Sequence, residues 1–145
     1  MTAEQTSVII KDTNANPAPL GLFGFGMTTV LLNLHNAGFF EMNSMILAMG
    51  LFYGGAAQVI AGIFEYKKGN TFGMTAFISY GFFWISLVGL IFMGKWGWIT
   101  AASGPAMVSY LVLWGIFTLL LFFGTLKINK ALQFVFGSLT ILFFL

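Results

Sequence analysis

The side chains able to do chemistry in this sequence are few and are set within long apolar runs. His35 stands between Asn33 and Asn36, but no cysteine, aspartate or second histidine lies at ligand spacing, so no metal site is expected. No serine is paired with a base and no two carboxylates are paired. The stretch GLFGFG lacks the strand and the lysine that a dinucleotide fingerprint or a phosphate loop requires. Neither an enzyme nor a cofactor is expected. What remains is amide, hydroxyl and aromatic ring, groups that replace water around a passing solute without breaking its bonds.

Those groups fall into stripes. Plotted at about 100° per residue, Gly21, Phe25, Thr29, Leu32, Asn33 and Asn36 lie along one side of the stretch Asn16 to Asn36. Lipid offers an amide no partner, so Asn33 and Asn36 turn toward protein or water, and the stripe is either a packing seam or a pore wall. Further on, Gly54, Gln58, Ala61, Gly62 and Glu65 share a side, and the pair Gly50 and Gly54 permits close helix approach. Gln58 then points into the protein, as an interhelical hydrogen bond or a solute contact. Glu65, beside Lys67 and Lys68, reads as a solvated surface ion pair. Thr71, Thr75, Ser79 and Ser86 form a hydroxyl stripe, with Tyr80 on a different side. Trp114, Phe117, Phe122 and Phe123 read as lipid-facing or subunit-facing bulk, and Thr118 and Thr125 as hydroxyls bonding back to their own helix. Near the end, Gln133, Gly137 and Thr140 make a small and polar side opposite Leu132, Phe136, Leu139 and Phe143.

The elements that must position these residues follow from composition. With 59% hydrophobic and 7% charged residues, the solvent of this chain is mostly lipid, and an all-α integral membrane bundle is expected. Five apolar runs are read as helices: 20–40, 42–64, 71–93, 105–126 and 131–145. A span needs roughly 20 residues, which the first four supply. The fifth is cut short, so the chain is expected to be a fragment of a longer protein. Pro17 and Pro19 place the first helix start at Pro19 or Leu20. Asn70 or Thr71 caps the third helix, Trp96 and Trp98 belong to an interfacial aromatic belt, and Pro105 suits a first helical turn. Residues 1–15 form a polar tail with no signal-peptide pattern. Lys11, Lys67, Lys68, Lys127 and Lys130 fall on one side of the membrane and Lys95 on the other, which predicts a cytoplasmic amino terminus. The net charge of +2 carries no clustered basic face, so no nucleic-acid partner is expected.

The motifs are familiar as a set: NPAPLGL at Asn16 to Leu22, FGMTT and NLHN in the same helix, FYGGAAQ, AGIFEYKKGNTFG, SYGFFW and FFGTLK. Together they resemble the acetate uptake transporter family over Asn16 to Leu145. The resemblance implies a protomer of six transmembrane helices with both termini cytoplasmic, seated in a bacterial inner membrane and assembled with like copies as a hexameric ring. About five helices are represented here. The sixth has no counterpart, and the chain as written is not expected to close a complete conduit. The resemblance further implies one path per protomer, narrowed by Phe25, Tyr80 and Leu139, with Leu139 as the selectivity position. It names acetate, related small carboxylates including succinate, and protons as what passes.

A carboxylate stripped of water costs several kcal/mol, and the runs hold no lysine to offset it. The solute is therefore expected to cross as the neutral acid, or as the anion with a proton. Free amides near Leu20 and Gly21, with Asn16, are read as a resting place for the carboxylate. Thr29, Asn33, Gln58, Thr75, Ser79, Gln133 and Thr140 complete the expected substrate path. Three other readings suit the same residues: a passive acetate channel, a pore for urea or short amides, and a non-transporting membrane subunit.

Overall fold

The chain's structure is a computed structural model that describes residues 15–145; the polar tail otherwise lies outside the described residues. Pro17 and Pro19 lack amide hydrogens, and Asn16 accepts the first free amide, that of Ala18, on its Oδ1 at 3.1 Å. Helix α1 (Ala18–Asn36) therefore starts ahead of Pro19. It stops short of the end of its apolar run because Gly38, at φ +81°, turns the chain. His35 secures that turn: its Nδ1 lies 2.9 Å from the Phe40 carbonyl oxygen, a structural role for the one histidine.

Helix α2 (Ser44–Lys67) is capped by Asn43, whose Oδ1 accepts from the Met45 and Ile46 amides. Its middle, Met49–Ala57, is π-wound, which no pattern in the sequence anticipated. That segment carries Gly50, Gly54 and Gly55, all buried. A Cβ on Gly54 would lie 2.8 Å from Trp84 Cγ and 2.9 Å from Thr28 Oγ1, so the absence of a side chain lets three helices meet there. Helix α3 (Thr71–Lys95) begins where Asn70 Oδ1 accepts the Gly73 amide at 3.0 Å, after Gly69 has turned the chain at φ +70°. Helix α4 (Gly104–Thr125) starts behind Ser103 with Pro105 in its first turn, and α5 (Lys130–Phe144) behind Asn129.

Among the described residues the fold is all-helical. Helices α1, α2 and α3 pack as one group and α4 with α5 as another. Aromatic rings join the groups: Phe83 of α3 meets Trp114 of α4 at 5.2 Å and Phe143 of α5 at 5.3 Å between centroids. Trp114 and Phe117 are thus turned inward against Tyr80 and Phe83, a correction to their reading as outward bulk, whereas Phe123 is 57% exposed. Phe122 closes on Gly137. Helices α1 to α4 are each long and apolar enough to cross a membrane, and their outer faces present side chains such as Phe23, Leu113 and Leu120. The chain is a multi-pass membrane protein.

Candidate functional site

Two cavities lie end to end between the helices. The first, about 280 Å³, is formed where α1 and α3 begin, α2 ends and α5 begins. The second, about 250 Å³, lies toward the opposite ends of α1 and α5. Only Phe25 and Leu139 line both. Tyr80 stands at the same level on the first cavity's side, its ring 5.5 Å from that of Phe25. The three residues the resemblance singled out, on α1, α3 and α5, therefore sit together where the cavities abut.

Local packing holds them. Tyr80 and Leu139 are buried with Ala76 and Phe136 in one cluster, against which Phe25, Phe72 and Phe117 pack. The Tyr80 hydroxyl donates to Thr118 Oγ1 at 2.9 Å, and Thr118 in turn donates to the Trp114 carbonyl at 2.7 Å. Thr118 is fully buried, so the tyrosine is tied to α4 by a bond shielded from solvent. This interhelical role was missed in the sequence, where Thr118 offered only the ordinary signal of a hydroxyl that bonds back along its helix.

In the first cavity the polar groups are Gln58, Glu65, Asn70, Asn129 and the Tyr80 hydroxyl. Gln58 is fully buried; its Nε2 donates to Gly54 O at 2.6 Å, and its Oε1 has no partner. Glu65 is 3% exposed, which corrects its reading as a solvated ion pair. Its Oε2 accepts from Asn70 Nδ2 at 2.7 Å. The face shared with Gly54, Gln58, Ala61 and Gly62 is the signal that outweighs the neighbouring lysines. Lys67 instead reaches over the Phe64 ring, 5.4 Å from its centroid.

The second cavity is lined by Thr29, Asn33 and Asn36 from the α1 stripe, and by Trp84, whose buried indole N–H has no partner. Thr29 donates to Phe25 O at 2.8 Å and Asn33 Nδ2 to Thr29 O at 2.9 Å, which leaves Asn33 Oδ1 free to accept. Among the described residues no lysine lines either cavity.

Other expected path residues lie elsewhere. The Gly21 amide donates to Pro17 O at 3.3 Å and the Ala18 amide is taken by Asn16, so the start of α1 keeps few free donors for a carboxylate. Asn16 and Leu20 are outside both cavities, and Gly21 is covered by the Phe77 ring. Thr75 and Ser79 line neither cavity; further along their stripe, Ser86 bonds Tyr110 at 2.6 Å and so joins α3 to α4. Gln133 donates to the Thr125 and Leu126 carbonyls, closing the end of α4, and Thr140 donates to Phe136 O at 2.7 Å.

An arrangement of two cavities with neutral and acceptor groups, meeting at an apolar waist, suits passage of a small, weakly hydrated solute, and it contains no constellation for bond cleavage. Known proteins agree with this architecture. The chain is 64% identical over 129 residues to the succinate-acetate/proton symporter SatP of Escherichia coli, covering 89% of this chain and 69% of that protein. It is 37% identical over 142 residues to acetate permease A of Emericella nidulans, covering 90% of this chain and 48% of that one. A solved structure described as the bacterial acetate channel SatP superposes with a TM-score of 0.89 at 62% identity, over 90% of this chain and 72% of that one. These named relatives are transporters or channels, not enzymes. The model of the GPR1/FUN34/yaaH family matches residues 2–145, and the chain belongs to that family.

Proposed function

We propose that this chain carries small monocarboxylates, acetate first and succinate as a further candidate, across a cell membrane, with the solute passing from one cavity to the other between Phe25, Tyr80 and Leu139. The observation that carries this reading is the pair of cavities sharing only Phe25 and Leu139. An apolar waist excludes a hydrated ion, because shedding water there is not compensated by any cation. A small acid loses less: as the neutral acid, or with a proton beside it, it crosses three apolar side chains and is received by amide and hydroxyl groups on either side. Thr29 and Asn33 serve the second cavity in this reading and Gln58 the first.

Proton coupling is the favoured mode, supported by the absence of lysine from both cavities among the described residues and by the name of the Escherichia coli relative. The cluster of Lys67, Lys68, Lys127 and Lys130 near the first cavity supports, by the positive-inside rule, an orientation with that end toward the cytoplasm of a bacterial inner membrane. Like copies assemble as a ring, a hexamer in this reading, each protomer with its own path.

Reconstitution tests the proposal. Labelled acetate is followed into liposomes with and without an inward proton gradient, beside empty liposomes that measure leakage of acetic acid through lipid. Accumulation above that background, abolished by an uncoupler, is the expected result. Gradient-independent equilibration makes the protein a channel, urea flux in place of acetate flux makes it an amide pore, and no flux at any pH overturns the proposal.

A further inference from the structure

Resting on the transport reading above, we infer that Glu65 is the group that holds a proton together with the solute in the first cavity, so that a carboxylate enters only with a proton. The side chain is buried and lines the cavity, yet among the described residues only one of its oxygens has a hydrogen-bond partner, the Oε2 that accepts from Asn70. A Cβ on Gly73 would lie 3.1 Å from the Glu65 carboxyl carbon, so a glycine on the facing helix makes room for that carboxyl group. On the same face of α2, Gln58 also lines the cavity. A carboxylate oxygen without a donor selects a ligand that brings a hydrogen.

Among the described residues the surroundings supply no alternative charge. Around the cavity α1 contributes Ala18 and Leu22, and α5 contributes Ala131, Leu132, Val135, Phe136 and Leu139. From α3 the only titratable group is Tyr80, whose proton is donated to Thr118. On α2 itself Tyr66 and Lys67 are exposed and Lys68 is half-buried, and none lines the cavity; Lys130, at the start of α5, is exposed. A second carboxylate brought beside Glu65 is therefore a like charge in a space with no cation, and the pair retains one proton between them. No covalent bond changes: the glutamate carboxylate, the solute carboxylate and a proton from water form one O–H···O bond. When the solute leaves as the acid, it takes that proton with it.

The test counts protons. Acetate binding to the purified protein in lipid nanodiscs is measured by calorimetry in buffers of different ionisation enthalpy. The expected result is uptake of about one proton per acetate anion bound by the wild type. Glu65→Asp retains that uptake, and Glu65→Gln loses it while affinity stays within a few-fold. Undiminished proton uptake by Glu65→Gln overturns the inference alone, and no acetate binding by the wild type overturns the transport reading with it. Infrared difference spectra of the wild type need no variant: a carboxylic-acid band that appears on binding and does not shift with carbon-13 acetate belongs to the protein, and its absence also refutes the role.

Discussion

Tyr80 and Thr118 are bound hydroxyl to hydroxyl at 2.9 Å, and this buried bond links α3 to α4 beside the waist between the cavities. Removing the two partners separately has unequal consequences. Tyr80→Phe keeps the ring against Phe25 and loses one hydrogen bond, about 1 kcal/mol, whereas Thr118→Val leaves a buried phenol unpartnered, about 1–3 kcal/mol. The double substitution is expected to be less destabilising than the sum of the two. Thermal unfolding of the four proteins in detergent gives the coupling energy, and additive losses would remove the bond from this account. Acetate flux through Tyr80→Phe is expected to stay within a few-fold of wild type, since in the proposed path it is the ring that faces the solute.

Leu139 lines both cavities and is opposed there by Phe25. On the proposed path, Leu139→Ala is expected to join the two spaces and admit longer acids. In competition against labelled acetate, butyrate and lactate are expected to inhibit uptake several-fold better in this variant than in wild type. Leu113→Ala, at a side chain 68% exposed on α4, leaves the ranking unchanged. The stability loss at Leu139 falls toward the lower end of the range of about 2–5 kcal/mol for a buried leucine, because the site already borders open volume.

How far the sequence disclosed this site depends on what each residue's signal rests on. Helix starts at Asn70 and Pro105 followed from the sequence, because capping and proline geometry are local. The α1 stripe put Phe25, Thr29 and Asn33 on one side, and the α2 stripe put Gln58 with Glu65, because a helical face is also local. Tyr80 and Leu139 carried no such signal; they came from the family resemblance, since which of several inward apolar residues meet is fixed by how three helices cross. The π-wound Met49–Ala57 and the Tyr80–Thr118 bond were illegible for the same reason. Glu65 was misread because its charged neighbours, Lys67 and Lys68, outweighed its membership of the buried face.

Gly54 is where α1, α2 and α3 come closest to sharing a point, with Thr28 and Trp84 at 2.9 and 2.8 Å from the place a Cβ would take. Neither can withdraw freely: Thr28 is 1% and Trp84 2% exposed. Gly54→Ala is therefore expected to destabilise by about 1–3 kcal/mol through overpacking. Gly89→Ala, where nothing lies within 4 Å, serves as the control and is expected to be neutral or to gain up to about 1 kcal/mol of helix propensity. Melting temperatures of both variants decide it, and equal effects would mean that the close approach at Gly54 is not needed.

Gln58 separates a structural from a functional role for a buried amide. Its Nε2 bonds to the carbonyl of its own helix, at Gly54, and joins no second helix; its Oε1 is unpartnered. An interhelical tie is thus not what the geometry provides, and an unsatisfied buried acceptor costs about 1–3 kcal/mol. Gln58→Leu keeps most of the volume and removes that cost, so the melting temperature is expected to hold or rise. Acetate affinity is expected to fall several-fold, since the proposed path runs past Gln58 in the first cavity. A variant that is both more stable and unchanged in binding would assign Gln58 to packing alone. A variant more stable and weaker in binding identifies it as a polar group kept in the membrane interior for the solute, at the expense of the fold.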